Sequence, residues 1–294
     1  TGFALVKTKN ELDAQYLLQN LFSHSIANQI ENLVVGSNYP AISNSDVENL
    51  IIPQPPLPEQ QKIAAILSKW DELIESQTQL IEAKEKQKTS LMQKLLTGEV
   101  RFPGFEEEWE EYTLGEIAEF SNGKAHENIV DENGPYKLIT SKFISTDGKE
   151  FRRLNDRLTP LFKNDIVMVM SDVPNGKAIG KCYLVEKNDI YSLNQRIGRF
   201  KFKNHNPVFM YYMLNRNTHF LAFDSGVGQT NLRKDDILEC PLFIPGYKEQ
   251  EKIAKTISAC DLELQSLKNE LEAIKLQKKG LMQQLLTGKI RVNV

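Results

Sequence analysis

The chain has 294 residues, 40% of them hydrophobic and 26% charged, with a formal net charge of −3. That length holds about two domains of ~100–200 residues, and the composition is that of an ordinary globular chain, not a collagen-like or disordered one. No apolar run approaches the ~18–20 residues of a membrane span, the N-terminus shows no secretory pattern, and the acidic balance excludes a uniformly basic nucleic-acid binder.

Residues 1–57 read as the C-terminal part of a first domain, with one helical pattern at Tyr16–Leu21 and a few strand-like runs. They end in the proline-rich PQPPLP, and a long helix occupies 58–98. Its apolar positions alternate by fours and threes: Ile63, Leu67, Trp70, Ile74, Ile81, Leu91 and Leu95, interrupted by Gln77, Lys84 and Lys88. A 3.5-residue period held over five heptads is the coiled-coil signal. Gly98 supplies the C-terminal stop.

Residues 99–246 read as a second, complete domain. An acidic, aromatic linker, FPGFEEEWEEY, leads into short β-rich runs at 136–140, 165–170, 182–186 and 196–202, separated by Gly/Asn/Asp/Pro turns. One helix is expected over 206–221, opened by Asn206–Pro207. Between 142 and 234 there are sixteen Lys/Arg against eight Asp/Glu, a local excess that suits a phosphate backbone. The alternative is a solvated face without a partner.

The last segment, 247–294, is a second heptad helix and tail: Ile253, Ile257, Cys260, Leu264, Leu267, Leu271, Ile274, Leu281 and Leu285, with Lys278 as its polar interruption. It repeats the first. EQQKIA at 59–64 returns as EQEKIA at 249–254, and SLMQKLLTGEVRF at 90–102 returns as GLMQQLLTGKIRV at 280–292. The shift, from Glu59 to Glu249, is the same in both matches: 190 residues. It carries Ile52 onto Leu242 and Pro55 onto Pro245, and near Tyr16 and Phe209 it becomes 193. Solenoid units run only ~20–50 residues, so the repeat is a whole domain with its connector. Each helix of some 39 residues would make a rod of roughly 58 Å. Shared register favours antiparallel pairing over two helices each packed on its own domain. The first copy lacks the counterpart of roughly ninety residues at its front, to be explained by truncation, by cleavage or by another chain.

Catalytic and metal motifs fail on inspection. GKAIGKC at 176–182 has the wrong spacing and Cys182 where a phosphate loop needs Ser/Thr, and NPVF at 206–209 departs from a methyltransferase NPPF at Val208. His24, His126, His205 and His219 show no ligand spacing. Cys182, Cys240 and Cys260 form no CxxC pair, which argues against a disulfide framework and points to a reducing cytoplasm.

PLPEQQKIAAIL with LMQKLLTG, their copies EQEKIA and LMQQLLTG, the domain opening TLGEIAEFSNG and SLNQRIGRF together resemble the specificity subunit of type I restriction–modification enzymes. The resemblance spans essentially the whole chain, except that the front of a first recognition domain is missing. It implies an α+β fold of β-rich target-recognition domains joined by two long antiparallel coiled-coil helices. Such a subunit reads a bipartite double-stranded DNA target, one half-site per domain, while its helices set the spacer. It docks methyltransferase subunits and, through them, restriction subunits, and performs no chemistry itself. S-adenosylmethionine, ATP and magnesium are expected in those partners and no cofactor in this chain. A homodimer would restore two recognition domains.

Within this reading Lys124, Lys142, Arg152, Arg153, Lys177, Arg196 and Arg233 are the candidates for DNA affinity. Asn122, Ser141, Gln195, Gln229 and Asn231 are the candidates for base choice, since Asn and Gln pair bidentately with adenine as Arg does with guanine. Turn chemistry is the competing explanation for Asn122. The reading from another class is a coiled-coil scaffold whose β-rich domain binds protein.

Overall fold

The computed structural model describes every residue except 1–3, 10, 35–40, 174–177, 225, 227 and 294, and Glu127 by its backbone alone. Three short helices come first: α1 (Ala14–Leu21), α2 (His24–Leu33) and α3 (Asn44–Glu48), followed by the long α4 (Leu57–Leu96). Then come β1 (Glu110–Thr113), α5 (Leu114–Ile117), β2 (Ala118–Asn122), β3 (Tyr136–Ile139), α6 (Ser141–Ser145), β4 (Arg152–Leu154), β5 (Ile166–Val169) and β6 (Ser171–Asp172). The chain continues through β7 (Cys182–Leu184), β8 (Tyr191–Leu193), β9 (Ile197–Phe202), α7 (Pro207–Leu214), α8 (Thr218–Leu221), β10 (Thr230–Asn231), α9 (Lys234–Leu238) and β11 (Pro241–Ile244). It closes with α10 (Tyr247–Leu285). These elements form two units, Thr1–Gln87 with Asp261–Val294, and Lys88–Cys260. The division falls inside both long helices, whereas the sequence boundaries at 98 and 246 follow the helix ends.

In the first unit each short helix starts at a side chain that caps it. Asp13 accepts the Tyr16 N–H at 2.8 Å, Ser23 accepts that of Ile26, and Ser43 forms a capping box with Asp46. Tyr16 is fully buried among Ile63, Ala64 and Leu67 of α4, Leu285 of α10 and Leu286 just beyond it. Further along, Ile81 packs on Leu264 and Leu271, with Ile74 and Leu267 against them. Lys84–Glu263, Lys268–Glu85 and Lys278–Asp71 ion pairs flank this seam. Numbers rise along one helix as they fall along the other, so the pair is antiparallel. Gln77, the polar break in the heptads, donates to the Leu267 carbonyl at 3.4 Å and to Glu270 at 3.2 Å.

The expected strands within 1–57 are not there: among the described residues this segment holds three helices and no strand. A strand needs a partner, and these residues pair with none among the described residues. By the 190-residue shift, 51–54 corresponds to β11, which exists only because it pairs with β1 (Glu110↔Ile244, Tyr112↔Leu242). The counterpart of β1 would fall before residue 1.

The second unit holds the β structure. A four-stranded antiparallel sheet runs β2-β9-β5-β7, a three-stranded sheet runs β4-β3-β8 with β3 and β8 parallel, and two ribbons pair β1 with β11 and β6 with β10. Strand β5 is buried along its whole length. Its period-two alternation feeds two cores: Ile166 and Met168 join Phe200, Phe209 and Leu214, while Val167 and Val169 join Ile139, Phe143 and Leu193. Leu95, Ile253 and Ile257 from the long helices complete the first of these cores.

The helix expected over 206–221 is two helices. After Leu214 the Asn215 side chain turns away to accept the Cys182 N–H at 3.0 Å, and Arg216 takes the left-handed conformation (φ 60°) with its N–H on the Gly180 carbonyl. Asn217 then caps α8. Anchoring strand β7 outweighs helix continuity here.

Candidate nucleic-acid interface

Strand register decides which predicted residues meet. Asn122, the last residue of β2, lies opposite Gly198 near the start of β9. Two residues on, Lys124 bridges to Asn194, its N–H on the Leu193 carbonyl at 3.2 Å. Gln195 and Arg196, both exposed, form the turn between β8 and β9 beside it. The Asn194 N–H is held by the Ile139 carbonyl at 3.2 Å, so the end of β3, and with it Ser141 and Lys142 at the start of α6, reaches the same place. On the other flank β9 pairs with β5 through Ile197↔Val169. Two residues later Ser171 pairs with Asn231, and Gln229 donates to the Ser171 hydroxyl at 2.7 Å. Arg233 follows as the residue preceding α9.

Strand ends thus gather Asn122, Lys124, Ser141, Lys142, Gln195, Arg196, Gln229 and Asn231 at one end of the unit. Arg152 and Arg153 sit apart on the edge strand β4, opposite Leu138 and Lys137. Arg152 is exposed, whereas Arg153 donates to the Gly134 carbonyl at 3.1 Å and stacks over Phe151. Lys177 and the turn around Asn175 lie outside the described residues.

A buried knot holds the Lys124 loop. His126 is 2% exposed, with Nδ1 2.6 Å from the Lys124 carbonyl and Nε2 2.7 Å from the Ser192 hydroxyl. A carbonyl only accepts, so Nδ1 carries a proton and donates it. Ser192 in turn accepts the Thr159 N–H at 3.1 Å. Gly123 lets β2 close on this turn: a Cβ there would stand 2.2 Å from the Leu193 carbonyl oxygen and 2.3 Å from that of Asn194.

The basic excess counted along the sequence is only partly surface charge. Arg199 is 12% exposed and pairs with the buried Asp165 at 2.7 Å inside the β5–β9 sheet. Arg157 pairs with Asp189, Lys181 with Asp147, and Lys203 with Glu119, whose carboxyl that hydrogen bond lowers below the usual range. The Lys142–Glu150 pair is exposed on both sides and worth little.

The repeated EQ and LLTG-x-x-R motifs have a physical role that pattern alone did not reveal. Arg101, beyond α4, grips Glu249 at the start of α10 through two bonds of 3.0 and 2.7 Å. Its counterpart Arg291, beyond α10, grips Glu59 at the start of α4 in the same way. Both acids are nearly buried. The Arg291 hydrogen bonds lower the Glu59 carboxyl below its ordinary range, and those to Glu249 raise the Arg101 guanidinium. The neighbouring glutamines do matching work. Gln60 accepts the Asp13 N–H and donates to the Pro55 carbonyl; Gln250 accepts the Asn206 N–H and donates to the Pro245 carbonyl, each bond 2.8 Å. Each amide therefore locks the N-cap of one domain helix, α1 or α7. The exchange of partners with offset preserved was the available signal.

Burial raises the Cys182 thiol and pushes Cys240 up to about 12, so neither is a thiolate at neutral pH. Among the described residues no group of three or more His, Cys, Asp or Glu could hold a metal ion, and no helix is long and apolar enough to cross a membrane.

Residues 2–85 and 106–276 match the family described as the type I restriction modification DNA specificity domain. The chain belongs to that family. It is 30% identical over 282 residues to the type I restriction enzyme MjaVIII specificity subunit of Methanocaldococcus jannaschii, a match covering 87% of this chain but 66% of that protein, just under two thirds. In fold it is similar to the S subunit of a type I restriction-modification system from M. genitalium (TM-score 0.61, 22% identity, 94% of this chain and 73% of that one). A second solved chain, from work on complex assembly and conformational transition of the type I R-M system, matches with TM-score 0.61 at 18% identity over 94% of this chain and 71% of its own.

Proposed function

We propose that this member of the specificity family reads one half of a bipartite double-stranded DNA target through the end of its β-rich unit. The observation that carries the reading is the convergence of four segments there, the β2 end, the β3–α6 junction, the β8–β9 turn and the β6–β10 ribbon. Together they present amide, hydroxyl and cationic side chains on a surface whose neighbouring strands carry more basic than acidic residues. Lys124, Arg196 and Arg233 supply phosphate attraction, while Gln229 and Asn231 are suited to adenine edges. The chain contributes recognition and no bond-making step. Methyl transfer and restriction belong to partner subunits, with S-adenosylmethionine, ATP and magnesium bound there.

The test is methylation mapping with the chain assembled on its methyltransferase subunit. Gln229→Ala and Asn231→Ala are expected to relax the preference at one or two target positions, at ~1–3 kcal/mol per lost bidentate contact. An identical target and rate in both variants would refute the assignment. A chain that only scaffolds proteins would support no site-specific methylation at all.

A further inference from the structure

The ribbon of β6 and β10 divides its residues between two faces. Asp172 lies opposite Thr230 and Ser171 opposite Asn231, and the Leu232 N–H bonds the Met170 carbonyl at 2.8 Å. Continued by one residue, this register sets Val173 opposite Gln229. Alternation puts Asp172 and Thr230 on one face and Ser171, Val173, Gln229 and Asn231 on the other. The first face is spent on holding the arms of the ribbon. The Asp172 carboxylate accepts the N–H groups of Val173, Ala178 and Ile179 at 2.9, 2.6 and 3.1 Å. The buried Thr230 hydroxyl donates to Asp224 at 3.0 Å.

The second face is left for a ligand. The Gln229 amide nitrogen donates to the Ser171 hydroxyl at 2.7 Å and to the Asn231 side-chain oxygen at 3.5 Å. Gln229 therefore keeps Oε1, an acceptor, and Asn231 keeps Nδ2, a donor, without a partner among the described residues. Beside them Val173 is 66% exposed, an apolar side chain on a face otherwise polar. Counting from the bonded Leu232–Met170 pair, Val173 and Gln229 fall at a non-bonded position, where opposed side chains stand closest. The order across the face is Asn231, Gln229, Val173: a donor, an acceptor, then methyl groups.

The major groove admits a two-stranded β-ribbon, and an A·T pair displays there the adenine N7 acceptor and N6 donor, then the thymine O4 and 5-methyl group. We propose, resting on the reading that this end of the unit binds DNA, that the β6–β10 ribbon reads one A·T pair as a unit from the major groove. Asn231 Nδ2 donates to N7, Gln229 Oε1 accepts from N6, and Val173 packs on the thymine 5-methyl group. Val173 is then a specificity-determining residue in its own right. The two amides alone do not exclude a C·G pair, where guanine O6 accepts and cytosine N4 donates, but cytosine carries no methyl group. The order also excludes the reversed T·A pair, which exchanges the amide and methyl ends.

The experiment uses the full chain assembled on its methyltransferase subunit, with duplexes carrying the half-site found by methylation mapping. Each thymine is replaced in turn by deoxyuridine, which keeps O4 and lacks only the methyl group. One replacement is expected to weaken binding about fourfold, or ~0.8 kcal/mol, as for one buried methyl group. Val173→Ala should weaken binding to the thymine duplex to a similar degree and show no further loss with deoxyuridine, the signature of a direct contact. Val173→Thr, which keeps a methyl group, should retain the thymine preference. The adenine whose preference Gln229→Ala relaxes should be the partner of that same thymine. The proposal is overturned if no deoxyuridine weakens binding, if the loss persists undiminished in Val173→Ala, or if the two bases belong to different pairs. Each of those results leaves half-site reading intact, whereas absence of any site-specific methylation by the parent assembly overturns that reading and this proposal with it.

Discussion

Replacing Ser192 by Ala isolates the knot that ties the Lys124 loop to the core. The hydroxyl is fully buried and meets three groups: His126 Nε2 at 2.7 Å, and the Thr159 N–H and carbonyl at 3.1 Å each. Alanine leaves the part-buried Thr159 N–H without its acceptor and the buried His126 Nε2 without its partner. At ~1–3 kcal/mol for each of the two orphaned groups, the loss is about 2–6 kcal/mol. Native-state hydrogen exchange reads it directly at the Leu193 amide, which bonds the Thr159 carbonyl at 2.9 Å. At ~1.4 kcal/mol per tenfold, exchange there should quicken by about 30-fold to about ten-thousand-fold. Because His126 also holds the Lys124 carbonyl, DNA affinity of the assembled complex should fall at low salt. Unchanged exchange at Leu193 with weakened DNA binding would refute the coupling, since the knot would then not support the loop.

Gly123→Ala drives a methyl group into two backbone carbonyls, atoms that cannot step aside. It should lower the melting temperature and abolish DNA binding, whereas alanine at Gly280, which has open space around it, should do neither. Arg152→Ala, on the exposed edge strand, is expected to weaken binding equally on all sequences and reduce the salt slope by about 1. A change in target preference would instead make it a base contact. Acid should loosen the clamp of Arg291 on Glu59. The folded carboxyl titrates below its ordinary range, so its contribution is full above the unfolded pKa and disappears as pH falls through the lowered folded value. A Glu59→Gln chain should therefore lose less melting temperature than the parent between about pH 6 and pH 3.

The long helices were legible because a heptad stripe depends only on local spacing. Each position of the stripe, from Ile63 to Leu95 and from Ile253 to Leu285, is buried or half-buried. The strand core was nearly as plain, since β5 reads as an unbroken apolar run flanked by turns. Less legible were features set by partners far away in sequence. Residues 51–54 look like a strand, as their counterpart β11 is one, but a strand is a relation between two segments and the described residues supply no second one. Arg199 looked like interface charge and proves to be an internal counter-ion, because only the fold brings Asp165 beneath it. Glu59 and Gln60 were noticed as a repeat without a reason. Their reason is that the acid is completed from the other half of the repeat, by an arginine beyond the opposite helix, while the amide is held within its own half by the cap of a domain helix. A duplicated motif whose members hold each other's ends cannot diverge freely in one copy. That constraint explains why the helix termini kept near-identity across 190 residues while the heptad interior, tolerant of any apolar side chain, drifted.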